Sequence, residues 1–317
     1  MSPLLASLHL YRVAGLRIAS EHPLDHLPPS DRAGPSPDVH IAFAPLAARP
    51  GRVAGAFEVH SPDSADLVIP GRLCIRVSGG RALTVDAAPD VPPAEILTFL
   101  FGPAFAALLH QRGTPPLHAG AVALAGGAVA VAGASGTGKS TTVRALLRAG
   151  ARLLTDDQMV VEPPADRVAP GIAAVKLWQA AAAHFDDPAR DSDRVAAGRD
   201  KFHLGIAPGQ MARAPAPLRA VCILAPREGH APPRLERLCV PEAVMALGGL
   251  SHHAYVADAM GRRRAIFHLA ADLAGRVPVF LLHRPDDLAS LDEVAERVLE
   301  AAGQEATRPN ALARIAP

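Results

Sequence analysis

The stretch "VAVAGASGTGKSTT", Val129–Thr142, decides the fold of this 317-residue chain. An apolar run enters a glycine-rich turn, and the turn opens into residues that favour a helix. Gly133, Gly138, Lys139 and Ser140 satisfy the pattern G-x-x-x-x-G-K-[ST]. Each residue type has a physical reason. Glycines let backbone N–H groups turn toward phosphate oxygens, the lysine reaches the outer phosphates, and the serine hydroxyl serves a magnesium ion. The helix that follows adds its positive N-terminal end. Gly133, Ser135, Gly136, Thr137, Gly138, Lys139, Ser140 and Thr141 are therefore expected to cradle the phosphates of ATP or GTP, with Mg²⁺ on Ser140. Kinases, switches and motors share such a loop, so the rest of the site has to separate them.

Upstream, "LHAGAVALA" and "AVAVAG" read as two strands joined at the tight-turn dipeptide Gly126-Gly127. Downstream, "KSTTVRALLRAG" reads as a helix closed by Gly150, and "ARLLTDDQMVVEP" as a strand carrying Asp156 and Asp157. A Pro/Asp/Arg-rich stretch extends to about Gly209. Beyond it come the strand "LRAVCILAP", helices in "PEAVMALGGL" and "RRRAIFHLAADLAG", the strand "VPVFLLHRP" and the helix "LASLDEVAERVLEAAG". This alternation predicts an α/β domain over 117–306 with its binding site at the strand ends. Residues 1–90 differ in texture. Short alternating segments such as "DVHIAFAPL", "GAFEVH" and "RLCIRVS", punctuated by Pro, Gly and Asp, predict a smaller antiparallel, β-rich N-terminal domain. "PPAEILTFLFGPAFAALLHQRG" predicts a helical connector over 91–116, kinked or split at Gly102-Pro103. Residues 307–317 read as a frayed tail.

Composition narrows the function. With 32 basic and 31 acidic residues, the chain advertises neither a nucleic-acid partner nor a polybasic membrane patch. The N-terminus lacks the basic flank of a signal peptide, and the longest Ala/Gly/Val run is too short for a membrane span, so a cytoplasmic protein is expected. Cys74, Cys222 and Cys239 are scattered and fit neither a disulfide framework nor a zinc site. Lysine occurs only at 139, 176 and 201.

Phosphoryl transfer to a hydroxyl needs one carboxylate for the metal and another for the proton of the attacking oxygen. Asp156 and Asp157 close an apolar strand, where adjacent side chains face opposite ways unless the chain bends. Lys176, Arg199 and Lys201 are candidates to compensate phosphoryl charge, the last two in a polar loop. The run Arg262–Arg264 reads as a solvated helix start. His252-His253 has no ligand partner at metal spacing and reads as structural.

The segment His118–Val161 resembles the catalytic domain of HPr kinase/phosphorylase, which phosphorylates a serine on a small phosphocarrier protein. The family has a histidine fifteen residues before the first loop glycine, as His118 stands to Gly133, and an Asp-Asp strand after the loop helix. The resemblance implies a P-loop kinase domain of the HPr kinase/PEP carboxykinase-like type with a mixed sheet. It implies Asp156 as general base held near His118, Lys139 as a catalytic cation, and Asp157 as the metal carboxylate. The family's downstream glycine-rich signature is not recognisable, and Thr141 stands where the family often has Glu. The chain is more similar to the HPr-kinase-related proteins found beside ribosomal-peptide genes, including those resembling lasso-peptide tail kinases. The expectation is an ATP/Mg²⁺-dependent serine kinase acting on a peptide or small protein. A small-molecule kinase or a nucleotide sensor without turnover stay open, as does a homo-oligomer, since the parent family is hexameric.

Overall fold

The computed structural model describes residues 8–46, 57–162 and 166–303. The stretch 307–317, expected to fray, lies outside them.

Seven strands form the first sheet: β1 (His9–Val13), β2 (Leu16–Ser20), β3 (Val39–Phe43), β4 (Phe57–Ser61), β5 (Ser64–Ile69), β6 (Leu73–Ser78) and β7 (Ala82–Ala87). Their order is β1-β2-β3-β7-β6-β5-β4. The β-rich texture is as expected, but the purely antiparallel arrangement is not, because β3 runs parallel to both β2 and β7. Alternation along a strand reports which side chains are buried and is silent on the direction of the neighbour. A long loop delivers β3 beside β2, and the meander through β7 then returns to β3.

The connector is two helices, α1 (Pro93–Phe99) and α2 (Phe105–Gln111), joined by a wide π-type turn over Leu100–Ala104. Gly102 leaves helical dihedrals ahead of Pro103 (φ −96°, ψ −107°), which is where the split was expected. Gln158 Nε2 donates to the carbonyls of Phe101 and Gly102, tying the kink to the segment that carries the aspartates. Among the described residues, Pro93–Gln111 is long and apolar enough to cross a membrane by length and composition, yet 67% of that window is buried inside the fold. It lies against the first sheet in one apolar core.

The second sheet is mixed. It begins with the hairpin β8 (Ala119–Leu124) and β9 (Gly127–Ala132), and α3 (Lys139–Arg148) leads on to β10 (Arg152–Thr155), antiparallel to β8. The short strands β11 (Val161–Glu162) and β12 (Arg167–Val168) follow. The Pro/Asp/Arg-rich stretch, assigned no element from sequence, contains the separate hairpin β13 (Ala174–Trp178) and β14 (Lys201–Gly205) with α4 (Gln179–His184) between them. Then come β15 (Ala216–Leu224), β16 (Arg234–Arg237), α5 (Val240–Gly249), α6 (Ala254–Ala259), α7 (Arg263–Arg276), β17 (Val279–His283) and α8 (Leu291–Ala301). Strands β9, β15 and β17 run parallel, so their C-terminal ends share one edge.

Both faces of this sheet are covered, which explains why its strands read as nearly continuous apolar runs. Val129 and Val131 face α3, α8 and the β13–β14 hairpin, whereas Ala128, Ala130 and Ala132 face α5 and α7. Small residues toward α5 and α7 let those helices approach closely.

Candidate active site

The loop Gly133–Gly138 leaves the end of β9 and feeds α3, as the sequence predicts. Gly138 caps α3 at φ 97°, a left-handed conformation, and an added Cβ would sit 2.8 Å from an Arg227 nitrogen. Lys139 is buried, and its Nζ donates to the carbonyls of Gly133 (3.0 Å) and Ala134 (2.9 Å), drawing the loop around the ammonium. Burial pushes this lysine down to about 8, against the raising influence of Asp157 and Asp156. Thr137 Oγ1 closes the loop onto the Ala134 carbonyl at 2.8 Å.

The aspartate pair follows β10. The β10–β8 register shifts between Leu153 and Thr155, the strand ends at Thr155, and Thr155 Oγ1 donates to the Gln158 carbonyl at 3.0 Å. This bend aims the two carboxylates at different neighbours, and the pairing is opposite to the one expected. Asp156, 5% exposed, accepts from Ser140 Oγ (3.0 Å) and from the Lys176 backbone N–H (2.8 Å), both at Oδ2. Its Oδ1 is buried without a hydrogen-bond partner among the described residues. Asp157 meets Lys176 Nζ at 2.8 Å and His118 Nε2 at 3.3 Å. His118 therefore stands by Asp157 rather than Asp156, and Ser140 by Asp156 rather than Asp157.

The two carboxyls are pushed in opposite directions as well as placed differently. Burial raises Asp156, opposed by the Lys176 N–H and Ser140. Burial works the same way on Asp157, but the Lys176 ammonium with His118 and His252 outweighs it and holds the carboxyl well below the usual range.

His252, read from sequence as having no ligand partner, is given neighbours by the fold. The turn after α5 brings its Nε2 to 3.9 Å from Asp157 Oδ1, with its ring centroid 4.8 Å from that of His118. His118, Asp157 and His252 each offer one ligand atom within 4.8 Å of the others, a set of metal-binding type, and burial lowers His252 to about 3. Sequence spacing cannot reveal a cluster assembled from β8, β10 and α5 termini.

These groups open on a cavity of about 430 Å³, lined on one side by Gly133–Ser135 and on the other by Asp157, Lys176 and Ser251–His253. Arg199 and Lys201 line it too. Lys201 is not in a loop but starts β14, with its Nζ 5.9 Å from the exposed Trp178 ring. Arg262 pairs with Asp63 and Arg263 with Asp258, away from this cavity.

Two functional candidates were missed. Arg227, just past β15, and Arg284, just past β17, both direct a nitrogen at the Thr137 carbonyl. The signal the sequence held was their position at the ends of the apolar segments "LRAVCILAP" and "VPVFLLHRP".

No family model matches the chain, and no curated protein does. Among solved structures, the chain is similar to the Hpr(Ser) kinase/phosphatase from Coxiella burnetii, at 12% identity and a TM-score of 0.30, over 57% of this chain and 93% of that one. A superposition that loose bears no functional weight, which rests on the geometry above.

Proposed function

We propose that this chain is a phosphotransferase that moves the γ-phosphoryl group of ATP to a hydroxyl, and that the acceptor is a serine of a peptide or small protein. The supporting observation is that two adjacent carboxylates are held in different surroundings beside one phosphate-type loop. Ser140 and Asp156 would hold Mg²⁺, and the buried, unpartnered Asp156 Oδ1 is the kind of atom such an ion would satisfy. When bound, the ion would offset charge on the phosphate oxygens.

Asp157 faces the acceptor cavity. As the hydroxyl oxygen bonds to the γ-phosphorus and the bond to the departing ADP oxygen breaks, the hydroxyl proton passes to Asp157 Oδ1. A strongly acidic aspartate is a weak base, which suits a loose transition state whose attacking oxygen stays protonated until late. His118 fixes the carboxylate's orientation at 3.3 Å, and Lys176, Lys201 and Lys139 supply cations around the transferring group. These roles exchange the two aspartates relative to the sequence expectation.

Transfer from labelled ATP with Mg²⁺ tests this with three acceptor pools: serine-containing peptides, the same peptides with Ser→Ala, and small polyols and sugars. Label should enter only the first pool. Asp157→Asn should cut transfer about 10²–10⁴-fold with ATP binding kept. Binding without transfer would make the chain a sensor, and label on small molecules alone would overturn the peptide acceptor.

A further inference from the structure

The acceptor cavity holds more fixed positive charge than its own acids balance. Lys176, Arg199 and Lys201 line it, and among the described residues Asp157 is the one carboxylate that does. Asp157 is engaged with Lys176 at 2.8 Å. Neither Arg199 nor Lys201 meets a carboxylate among the described residues, and Lys201 rests 5.9 Å from the Trp178 ring. Acids do stand nearby. Asp191 and Asp200, in the same loop as Arg199, both pair with Arg194, at 2.7 and 2.6 Å. Arg194 also donates to the Arg199 carbonyl at 3.0 Å and lies over the Phe202 ring at 4.9 Å. The Val195 N–H closes the turn onto the Lys201 carbonyl at 2.9 Å. The backbone that bears Arg199 is thus pinned, while its side chain stays exposed and unpaired on the cavity wall.

A guanidinium on a fixed backbone, left without a partner beside the place for a hydroxyl, suits a second anionic group on the acceptor. Resting on the phosphotransferase reading above, we propose that Arg199 recognises a carboxylate next to the accepting serine, so that the acceptor is an acidic peptide segment. Lys201 adds to the attraction from β14. Arginine suits this task, since its planar fork matches the two oxygens of a carboxylate and keeps its charge. Such a carboxylate belongs either to an acidic side chain beside the serine or to a peptide terminus, and the test separates the two.

Four short peptides serve as probes. Three are capped at both ends and carry Asp, Asn or Lys beside the serine, and the fourth is the Asn peptide with a free terminal carboxylate. Their affinity for the full chain loaded with ADP and Mg²⁺ is read by calorimetry, and label transfer from ATP is read separately. A carboxylate peptide should bind about tenfold more tightly than the capped Asn peptide, with a smaller margin at high salt. Arg199→Ala should erase that margin, and Arg199→Glu should reverse it in favour of the Lys peptide. A margin for the fourth peptide alone would place the carboxylate at the terminus. Equal affinity for all four, binding of none, or an Arg199→Ala loss shared equally by every peptide would overturn the proposal. A preserved margin with no label in any peptide would instead reject the phosphotransferase reading and leave the recognition standing.

Discussion

The buried lysine of the loop makes nucleotide affinity and fold stability respond to pH in opposite directions. Lys139 is 6% exposed, and burial lowers it from 10.5 to about 8. Phosphate binding requires the ammonium form. At pH 9 roughly one molecule in ten would carry that charge before binding, so ADP affinity should fall about tenfold for each unit above pH 8. An ordinary lysine would leave affinity flat to about pH 10. Between pH 8 and 10.5 the unfolded chain holds the proton and the folded chain does not, so stability rises with pH across that window. The full difference amounts to about 3 kcal/mol. Calorimetric titration with ADP from pH 7 to 9.5 at fixed ionic strength reads the first effect. Urea unfolding of the wild type against Lys139→Met reads the second, since every other group titrates in both proteins. An affinity that stays level through pH 9.5, or a wild-type-minus-variant stability that falls with pH, would refute the burial argument.

Asp156→Asn should abolish the Mg²⁺ dependence of nucleotide binding, whereas Asp157→Asn should leave it intact, and titrations with and without Mg²⁺ distinguish the two. Gly120→Ala places a Cβ 2.6 Å from Val143 Cγ2 and 3.1 Å from the Asp156 carbonyl, wedging α3 away from the aspartate turn. It should cost about 1–3 kcal/mol in denaturant unfolding and reduce transfer, with an unchanged midpoint counting against the packing argument.

Much of the second sheet was legible because its signals are local. The β8–β9 hairpin turns on Gly126-Gly127, α3 ends at Gly150 in a left-handed conformation (φ 95°), and the helix break falls at Gly102-Pro103. The β13–β14 hairpin was not legible, since its strands are short and lie among Pro, Asp and Arg. Lys176 and Lys201 were picked out as charges, yet only the hairpin, which pairs Trp178 with Lys201, carries both to the same cavity.

The sequence by itself determined the phosphate-type loop, the helix behind it, and two adjacent carboxylates at the end of the next strand. Those follow from residue types at short, fixed spacing, which backbone geometry converts directly into place. Which aspartate meets which partner was decided only by tertiary structure. A register shift in β10 and a bend after Thr155 break the period-two rule at the very residues in question. His252, Arg227 and Arg284 enter for the same physical reason: they are remote in the chain, and only the packing of parallel strand ends and the turn after α5 delivers them to the loop.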